Sequence, residues 1–207
     1  MWPIFIEAIE KDKLSVLNKD DINKVLYTAA ISFCASVDLF KVGDQKTPGT
    51  FFEYYIAYLF TLCLKVSPVT SIKVLDFDGR NTMLQTDNIF NLGIDKPRFH
   101  LPIKTSSRER AIMLWAHQRL LDGVYGIEKF MGTPVLLAET KTNITKKEVT
   151  EICLPDQWVI YQLYIARLKR IYYLDIPEAY RKLTLLTPPI YVKPFSEFFF
   201  EWTELTA

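Results

Sequence analysis

The pattern of apolar and polar positions predicts helices in the first third of the chain. Residues 1–19 mix charged with apolar side chains and predict a short amphipathic helix. Residues 23–35 predict a buried helix, and Asp20 and Asp21 before it are typical helix-capping residues. We therefore expect two helices ahead of the central part of the chain.

The next apolar segment predicts a long core helix. Residues 46–50, with the sequence Lys-Thr-Pro-Gly-Thr, indicate a turn, and residues 51–64 that follow are almost entirely apolar and aromatic. Glu53 is the exception, because it places a carboxylate one turn into an apolar helix. An acid there also suits the helix dipole.

Beyond residue 68 the period of the pattern changes to that of strands. Three strands are predicted before the next helix, at residues 71–77, 82–92 and 98–104, and the Asp-Gly-Arg-Asn sequence at residues 78–81 predicts a hairpin turn between the first two. A helix at 105–121, capped by the Thr-Ser-Ser sequence at its start, then alternates with a strand at 133–141, a helix at 154–169 and a strand at 171–174. This order predicts an α/β fold with a mixed central sheet flanked by helices.

Composition limits the classes of function. The chain has 207 residues, 49% of them hydrophobic and 24% charged, with a formal net charge of +1. This balance argues against a purely electrostatic nucleic-acid binder, but acidic metal ligands can offset a basic groove in a nuclease. Three cysteines without a Cys-x-x-Cys pair and two histidines make a structural zinc site improbable and fit a reducing, intracellular compartment.

Targeting and nucleotide-binding motifs are missing from the sequence. The first residues lack the basic and apolar regions of a signal peptide, and Glu53 and Lys65 interrupt the longest apolar stretches, so we expect no membrane span. The glycine-rich phosphate loops and the Gly-x-Ser-x-Gly elbow of hydrolases are also absent.

Two carboxylates and a lysine suggest metal-dependent cleavage of phosphodiesters. This chemistry uses carboxylates around a metal ion and a positive group that positions or polarises the attacking water. Asp87 lies in the second predicted strand and Lys104 ends the third, a separation of 104 − 87 = 17 residues that suits a hairpin. Glu53 on the preceding helix could face the same point.

A second arrangement competes with this one. Glu139 and Lys141 form a Glu-x-Lys sequence at the end of the fourth predicted strand. Glu139 is 139 − 87 = 52 residues from Asp87, so it would reach the same metal only if its strand lies beside the second strand. Both sites remain open at this point.

Four basic residues are candidates for contacts with DNA phosphates. Arg108 and Arg110 open the helix after Lys104, and Lys146 and Lys147 follow Lys141 in a small basic cluster. A solvated face explains these charges equally well.

Five longer runs of sequence carry a further signal. The runs are Leu-Pro-Ile-Lys-Thr-Ser-Ser-Arg-Glu-Arg at 101–110, Trp-Ala-His-Gln at 115–118, Lys-Thr-Pro-Gly-Thr-Phe-Phe-Glu at 46–53, Cys-Leu-Pro-Asp-Gln-Trp at 153–158 and Tyr-Tyr-Leu-Asp at 172–175. They resemble type II restriction endonucleases of the nuclease superfamily with an Asp…(Asp/Glu)-x-Lys signature. The predicted order of helix, three strands, helix and strand is similar to the core of that superfamily.

The resemblance implies an Mg²⁺-dependent endonuclease that cuts double-stranded DNA at a specific sequence. Asp87 with Glu53 or Glu139 would hold the metal, and Lys104 or Lys141 would act on the water. One nuclease domain is then expected over residues 1–207, with an N-terminal helical part (1–45), a catalytic core (46–175) and a C-terminal extension (176–207). A homodimer, the cytoplasm of a prokaryotic cell and a cognate DNA methyltransferase in the same system also follow from the resemblance.

The sequence departs from the signature at Pro102. The superfamily usually has an acid two residues before the lysine, so the missing carboxylate must come from Glu53, Glu109 or Glu139. Pro102 also favours an alternative function, a non-catalytic DNA-binding or assembly subunit with a degenerate nuclease core. A nuclease acting on RNA or on DNA repair intermediates is a third alternative.

Overall fold

The computed structural model describes residues 1–206 apart from 12, 45, 78–79, 108–109, 144 and 147, and at residues 75–77, 80–81, 141 and 142 it describes the backbone alone. Helices flank a mixed central β-sheet, which confirms the predicted α/β fold. The helices are α1 (Trp2–Glu10), α2 (Lys19–Phe40), α3 (Lys46–Leu64), α4 (Ile112–Tyr125), α5 (Pro155–Tyr164), α6 (Glu178–Arg181) and α7 (Phe198–Leu205). The strands are β1 (Val69–Phe77), β2 (Arg80–Phe90), β3 (Arg98–His100), β4 (Ile103–Lys104), β5 (Phe130–Gly132), β6 (Val135–Leu136), β7 (Thr140–Asn143), β8 (Glu148–Glu151), β9 (Ile171–Tyr173) and β10 (Val192–Pro194).

The helices α2 and α3 begin earlier than the sequence pattern predicted. Asn18 caps α2 by accepting hydrogen bonds from the backbone amides of Asp20 at 2.8 Å and Asp21 at 3.3 Å. The two aspartates therefore lie in the first turn, where an acid favours the helix dipole, and are not the cap.

The predicted turn at residues 46–50 is wrong, because these residues form the first turn of α3. The carboxylate of Asp44 accepts hydrogen bonds from the backbone amides of Lys46 at 3.0 Å and Thr47 at 2.9 Å. Proline is tolerated at Pro48 because the first amides of a helix have no intrahelical acceptor. α3 thus extends toward its N-terminus beyond Glu53 by almost two turns.

The strands form two four-stranded sheets with the orders β1-β2-β3-β5 and β10-β9-β6-β4. β1, β2 and β3 pair antiparallel, whereas β3–β5 and all pairs of the second sheet are parallel. Each of two chain segments passes from one sheet into the other, at Pro102 and at Pro134. Proline has no amide hydrogen and interrupts a ladder, so the predicted third strand is split into β3 and β4.

Backbone hydrogen bonds continue across these two breaks. Thr133 donates to the carbonyl of His100 at 2.8 Å, and Val135 donates to the carbonyl of Pro102 at 2.9 Å. The two sheets are therefore halves of one bent mixed sheet, and the bend follows the prolines.

Three further predicted boundaries are wrong. The fourth strand, predicted at 133–141, is replaced by the short strand β6 and the start of β7, and β7 pairs with β8 in a separate hairpin. The helix predicted from residue 105 begins at Ile112, and the helix predicted to reach residue 169 ends at Tyr164. The Thr105 carbonyl instead accepts the amide hydrogen of Ala138, and Ser106 and Ser107 donate hydrogen bonds to the Glu139 carboxylate.

Apolar cores cover both faces of the bent sheet. Phe60 and Phe198 from α3 and α7 lie in the larger core, with ring centroids 3.9 Å apart. Trp115 and Trp158 from α4 and α5 lie in the second core. Among the residues that the structure describes, no helix combines the length and hydropathy needed to cross a membrane.

Candidate active site

Asp87 and Lys104 meet where the two halves of the sheet join. Asp87 belongs to β2 and Lys104 ends β4, and the Lys104 Nζ lies 2.6 Å from the Asp87 Oδ2. The backbone amide of Ile103 donates to the same Oδ2 at 3.0 Å. Asp87 is therefore fixed by the backbone of β4 as well as by the lysine, a contact that side-chain patterns do not reveal.

Glu53 completes a group of three charged side chains. Its Oε1 lies 3.8 Å from the Lys104 Nζ, and its side chain is 45% exposed. Partial burial and the negative charge of Asp87 raise the pKa of Glu53, while Lys104 acts in the opposite direction. The carboxylates of Asp87 and Glu53 and the ammonium of Lys104 thus lie together at a half-exposed site beside the N-terminal half of α3.

The position of the missing acid is occupied by a buried proline. Pro102 lies between β3 and β4, and its carbonyl accepts the amide hydrogen of Val135. A side chain without oxygen atoms cannot supply a metal ligand. Of the three acids considered as its replacement, Glu53 is brought to Lys104, and Glu109 lies outside the described residues.

Glu139 is 1% exposed and takes part in a separate hydrogen-bond cluster. Its carboxylate accepts from the Ser106 hydroxyl at 2.6 Å, the Ser107 amide at 2.8 Å and the Tyr173 hydroxyl at 2.9 Å. The neighbours of β2 in the sheet are β1 and β3, so the pairing that would bring the Glu139 strand beside Asp87 does not form. The apolar flanks Leu137 and Ala138 were a signal for this burial in the sequence.

The remaining candidates belong to other segments of the chain or lie outside the described residues. Lys141 belongs to β7, where its backbone pairs with Thr150 of β8. Arg110 and Lys146 are exposed, and Lys146 lies in the turn that joins β7 to β8. The predicted phosphate contacts of Arg108 and Lys147 fall on residues that the structure does not describe.

A buried histidine lies close to the site and was not among the predicted residues. His100 in β3 stands opposite Ile89, two residues beyond Asp87 in β2, and is fully buried. Its Nδ1 lies 3.1 Å from the Gln118 Oε1, and the Gln118 amide donates to Asp122 and to the carbonyl of Phe130. Burial lowers the pKa of His100 to about 4, so the imidazole is neutral near pH 7.

The two carboxylates at Lys104 are suitable ligands for a hard cation. Magnesium is commonly held by one or two carboxylates, with water and substrate phosphates filling the remaining positions. Within the described part of the chain, no group of three or more His, Cys, Asp or Glu side chains is placed to hold a metal ion. The two carboxylates therefore fit a divalent metal ion whose remaining ligands come from water or substrate, and the described residues do not form a closed structural site.

Two solved structures share this fold. The type IIP restriction endonuclease Kpn2I matches with a TM-score of 0.79 and 27% identity, over 98% of this chain and 70% of that one. The restriction endonuclease PspGI in complex with substrate DNA matches with a TM-score of 0.53 and 14% identity, over 97% of this chain and 78% of that one. No protein-family model and no curated protein matches the sequence. The chain has a type II restriction endonuclease fold, as the sequence predicted, and this similarity supports a DNA-cleaving nuclease.

Proposed function

We propose that this chain, which has the fold of type II restriction endonucleases, is an Mg²⁺-dependent enzyme that hydrolyses phosphodiester bonds in double-stranded DNA at a specific sequence. The convergence of Asp87, Glu53 and Lys104 at one point carries the proposal. These are the residue types that metal-dependent phosphodiester cleavage requires, and they meet although they come from three different elements.

Asp87 and Glu53 would hold the magnesium ion. When bound, the ion would polarise a phosphoryl oxygen and lower the pKa of a coordinated water. The raised pKa of Glu53 supports this role. Partial burial and the neighbouring Asp87 destabilise the negative charge of Glu53, and a bound cation would offset that destabilisation. Asp87 is already oriented by the amide of Ile103 and needs little rearrangement.

Lys104 would act on the substrate. Its side chain is 42% exposed and its ammonium is held by two carboxylates, so it can exchange one of these contacts for a phosphate oxygen or an attacking water. A fixed positive charge at that point stabilises the negative charge that develops on the phosphate during hydrolysis.

The partners follow from the same assignment. Cutting both strands of DNA requires two sites, and a homodimer supplies them symmetrically. Exposed Arg110 and Lys146 would contact phosphates, together with Arg108 and Lys147. A cytoplasmic enzyme of this kind in a prokaryotic cell would work beside a cognate DNA methyltransferase.

Pro102 favours a second candidate function, a DNA-binding or assembly subunit that does not cleave. Cleavage of a plasmid library with Mg²⁺ and with EDTA separates the two, since the proposed enzyme yields discrete fragments with Mg²⁺ and none with EDTA. Asp87→Ala should abolish the fragments, whereas Asp95→Ala, an exposed aspartate in the loop before β3, should leave them unchanged. Intact plasmid in every reaction, with DNA binding retained, would favour the non-catalytic subunit. Preferential cleavage of RNA or single strands would instead assign a different substrate.

A further inference from the structure

A buried carboxylate is connected to the segment that directly follows Lys104. Glu139 accepts the Ser106 hydroxyl on Oε2 at 2.6 Å and the Ser107 amide on Oε1 at 2.8 Å, so both of its oxygens are used by two consecutive residues. Hydrogen bonds from neutral donors to a charged acceptor are stronger than those between neutral groups. The carboxylate thus fixes residues 106 and 107 at two points.

The same carboxylate is anchored to the middle of the sheet. The Tyr173 hydroxyl donates to Glu139 Oε1 at 2.9 Å, and Tyr173 is fully buried in β9. Burial and the charge of Glu139 raise the pKa of Tyr173 well above its usual value, which keeps the hydroxyl protonated as a donor. Glu139 therefore links a rigid core strand to the loop after Lys104.

Backbone contacts extend this link to Lys104 itself. The amide of Leu137 donates to the carbonyl of Lys104 at 3.1 Å, and the amide of Ala138 donates to that of Thr105 at 3.1 Å. Beyond Ala138, the contact between the two segments is made by the Glu139 side chain, which accepts hydrogen bonds from Ser106 and Ser107. Residues 104–107 are thus bound along their whole length by residues 137–139.

We infer that Glu139 is a positioning residue, which holds the segment after β4 through Ser106 and Ser107 and so sets the place of Lys104 beside Asp87. This role rests on the proposed function of the Asp87–Lys104 site. It differs from metal binding, because the Glu139 oxygens already accept three hydrogen bonds within the protein. Lysine has a flexible side chain, and displacing a reacting group by about 1 Å can cost about 100-fold in rate.

Ser106→Ala and Glu139→Gln test this role, with Ser106→Thr as the conservative variant that keeps the hydroxyl. Tyr172→Phe is the matched control, because it removes a buried hydroxyl bond to a carboxylate, 2.6 Å from Glu201, on the adjacent residue of the same strand. The single-turnover cleavage rate at saturating DNA with Mg²⁺ is measured beside the DNA affinity in EDTA and the melting temperature.

We expect Ser106→Ala to slow cleavage about tenfold, which corresponds to one lost hydrogen bond to a charged group. DNA affinity should stay within about twofold, and Ser106→Thr should restore the rate. Glu139→Gln should slow cleavage further, while Tyr172→Phe lowers the melting temperature and leaves the rate unchanged. Ser106 is only half-buried, so Ser106→Ala keeps the test decisive even where Glu139→Gln does not fold.

The positioning role would be overturned by equal cleavage rates for Ser106→Ala, Ser106→Thr and Tyr172→Phe. The proposed nuclease function would remain intact in that case. A wild-type chain that cleaves no nucleic acid would instead remove the proposed function, and the positioning role with it.

Discussion

The Lys104 ammonium lies 2.6 Å from the Asp87 carboxylate, although β2 and β4 belong to different halves of the bent sheet. The Ile103 amide binds the same carboxylate oxygen at 3.0 Å, so the backbone holds the aspartate where the lysine reaches it. The bend between the two halves thus holds the pair together, and under the proposed function this preorganisation would lower the cost of ordering the pair for cleavage.

Replacing Lys104 should remove catalysis and spare DNA binding. For Lys104→Ala we expect the single-turnover rate to fall by about 100- to 1,000-fold, the range typical for loss of one group that stabilises developing charge. Lys96→Ala is the matched control, because Lys96 is an exposed lysine in the loop before β3. Equal cleavage by both variants at saturating DNA would exclude Lys104 from the chemistry.

The pKa of Glu53 should respond to its two charged neighbours with opposite signs. Asp87→Asn removes a negative charge and should lower the Glu53 pKa, whereas Lys104→Met removes a positive charge and should raise it. Carbon-13 NMR titration of the side-chain carboxyl measures both shifts. Movement of both in the same direction would show that the three side chains do not meet in solution.

The raised pKa of Glu53 also predicts a change in stability with pH. The pKa of the Glu53 carboxyl is higher in the folded protein than its ordinary value of 4.5. In the pH interval between these two pKa values, the carboxyl binds more protons in the folded state than in the unfolded state. The folded state therefore loses stability as the pH rises through the interval. The free energy of unfolding, measured with urea, should fall less for Glu53→Gln than for the wild type between pH 4 and pH 7. An equal fall in both proteins would contradict the raised pKa of Glu53.

His100 should make the protein sensitive to acid. Its pKa is lowered from 6.5 to about 4, so the unfolded chain binds more protons between these values and stability falls as the pH drops below 6.5. At pH 5 this linkage costs about 2 kcal/mol relative to pH 7. His100→Asn, which keeps a donor for Gln118, should show a smaller loss from pH 7 to pH 5 in urea unfolding. If both proteins lose the same stability, His100 does not titrate as its burial implies.

Two glycines near α4 should respond to alanine in opposite ways. A Cβ at Gly132 would lie 2.5 Å from the Leu168 Cδ2 and 2.7 Å from the Gln118 Oε1, so Gly132→Ala should destabilise the protein by about 1–3 kcal/mol. Among the described residues, a Cβ at Gly123 meets no heavy atom within 4 Å beyond its chain neighbours and its own helix backbone, and Gly123→Ala within a helix should stabilise the protein by about 0.5–1 kcal/mol. Urea unfolding of the two variants measures both changes, and a neutral Gly132→Ala would contradict the packing of Gln118.

The sequence predicted the order of the core elements because that order depends on local periodicity. The hairpin of β1 and β2, the long helix α3 and the strand β9 all appear where alternating or helical patterns place them. The prediction from sequence failed at residues 46–50. Proline and glycine indicated a turn there, but the Asp44 side chain caps a helix that begins at these residues. Such a contact depends on one side-chain rotamer and leaves no periodic signal.

The site was predictable in part for the same reason. Asp87 and Lys104 lie on consecutive predicted strands, so their approach follows from the hairpin spacing. The position of Glu139 did not follow, because its place depends on the end of β6 at Leu136 and on Tyr173, which is 173 − 139 = 34 residues away in sequence. Long-range hydrogen bonds of this kind are fixed by the tertiary packing alone.

The adjacent tyrosines of β9 have a consequence for how the chain unfolds. Tyr172 packs in the larger core and Tyr173 in the second, on opposite faces of one three-residue strand. Each also donates a hydrogen bond to a buried carboxylate on its own side, Glu201 or Glu139. Because β9 belongs to both cores, loss of this strand would expose both, and we expect the two faces to melt in a single cooperative transition.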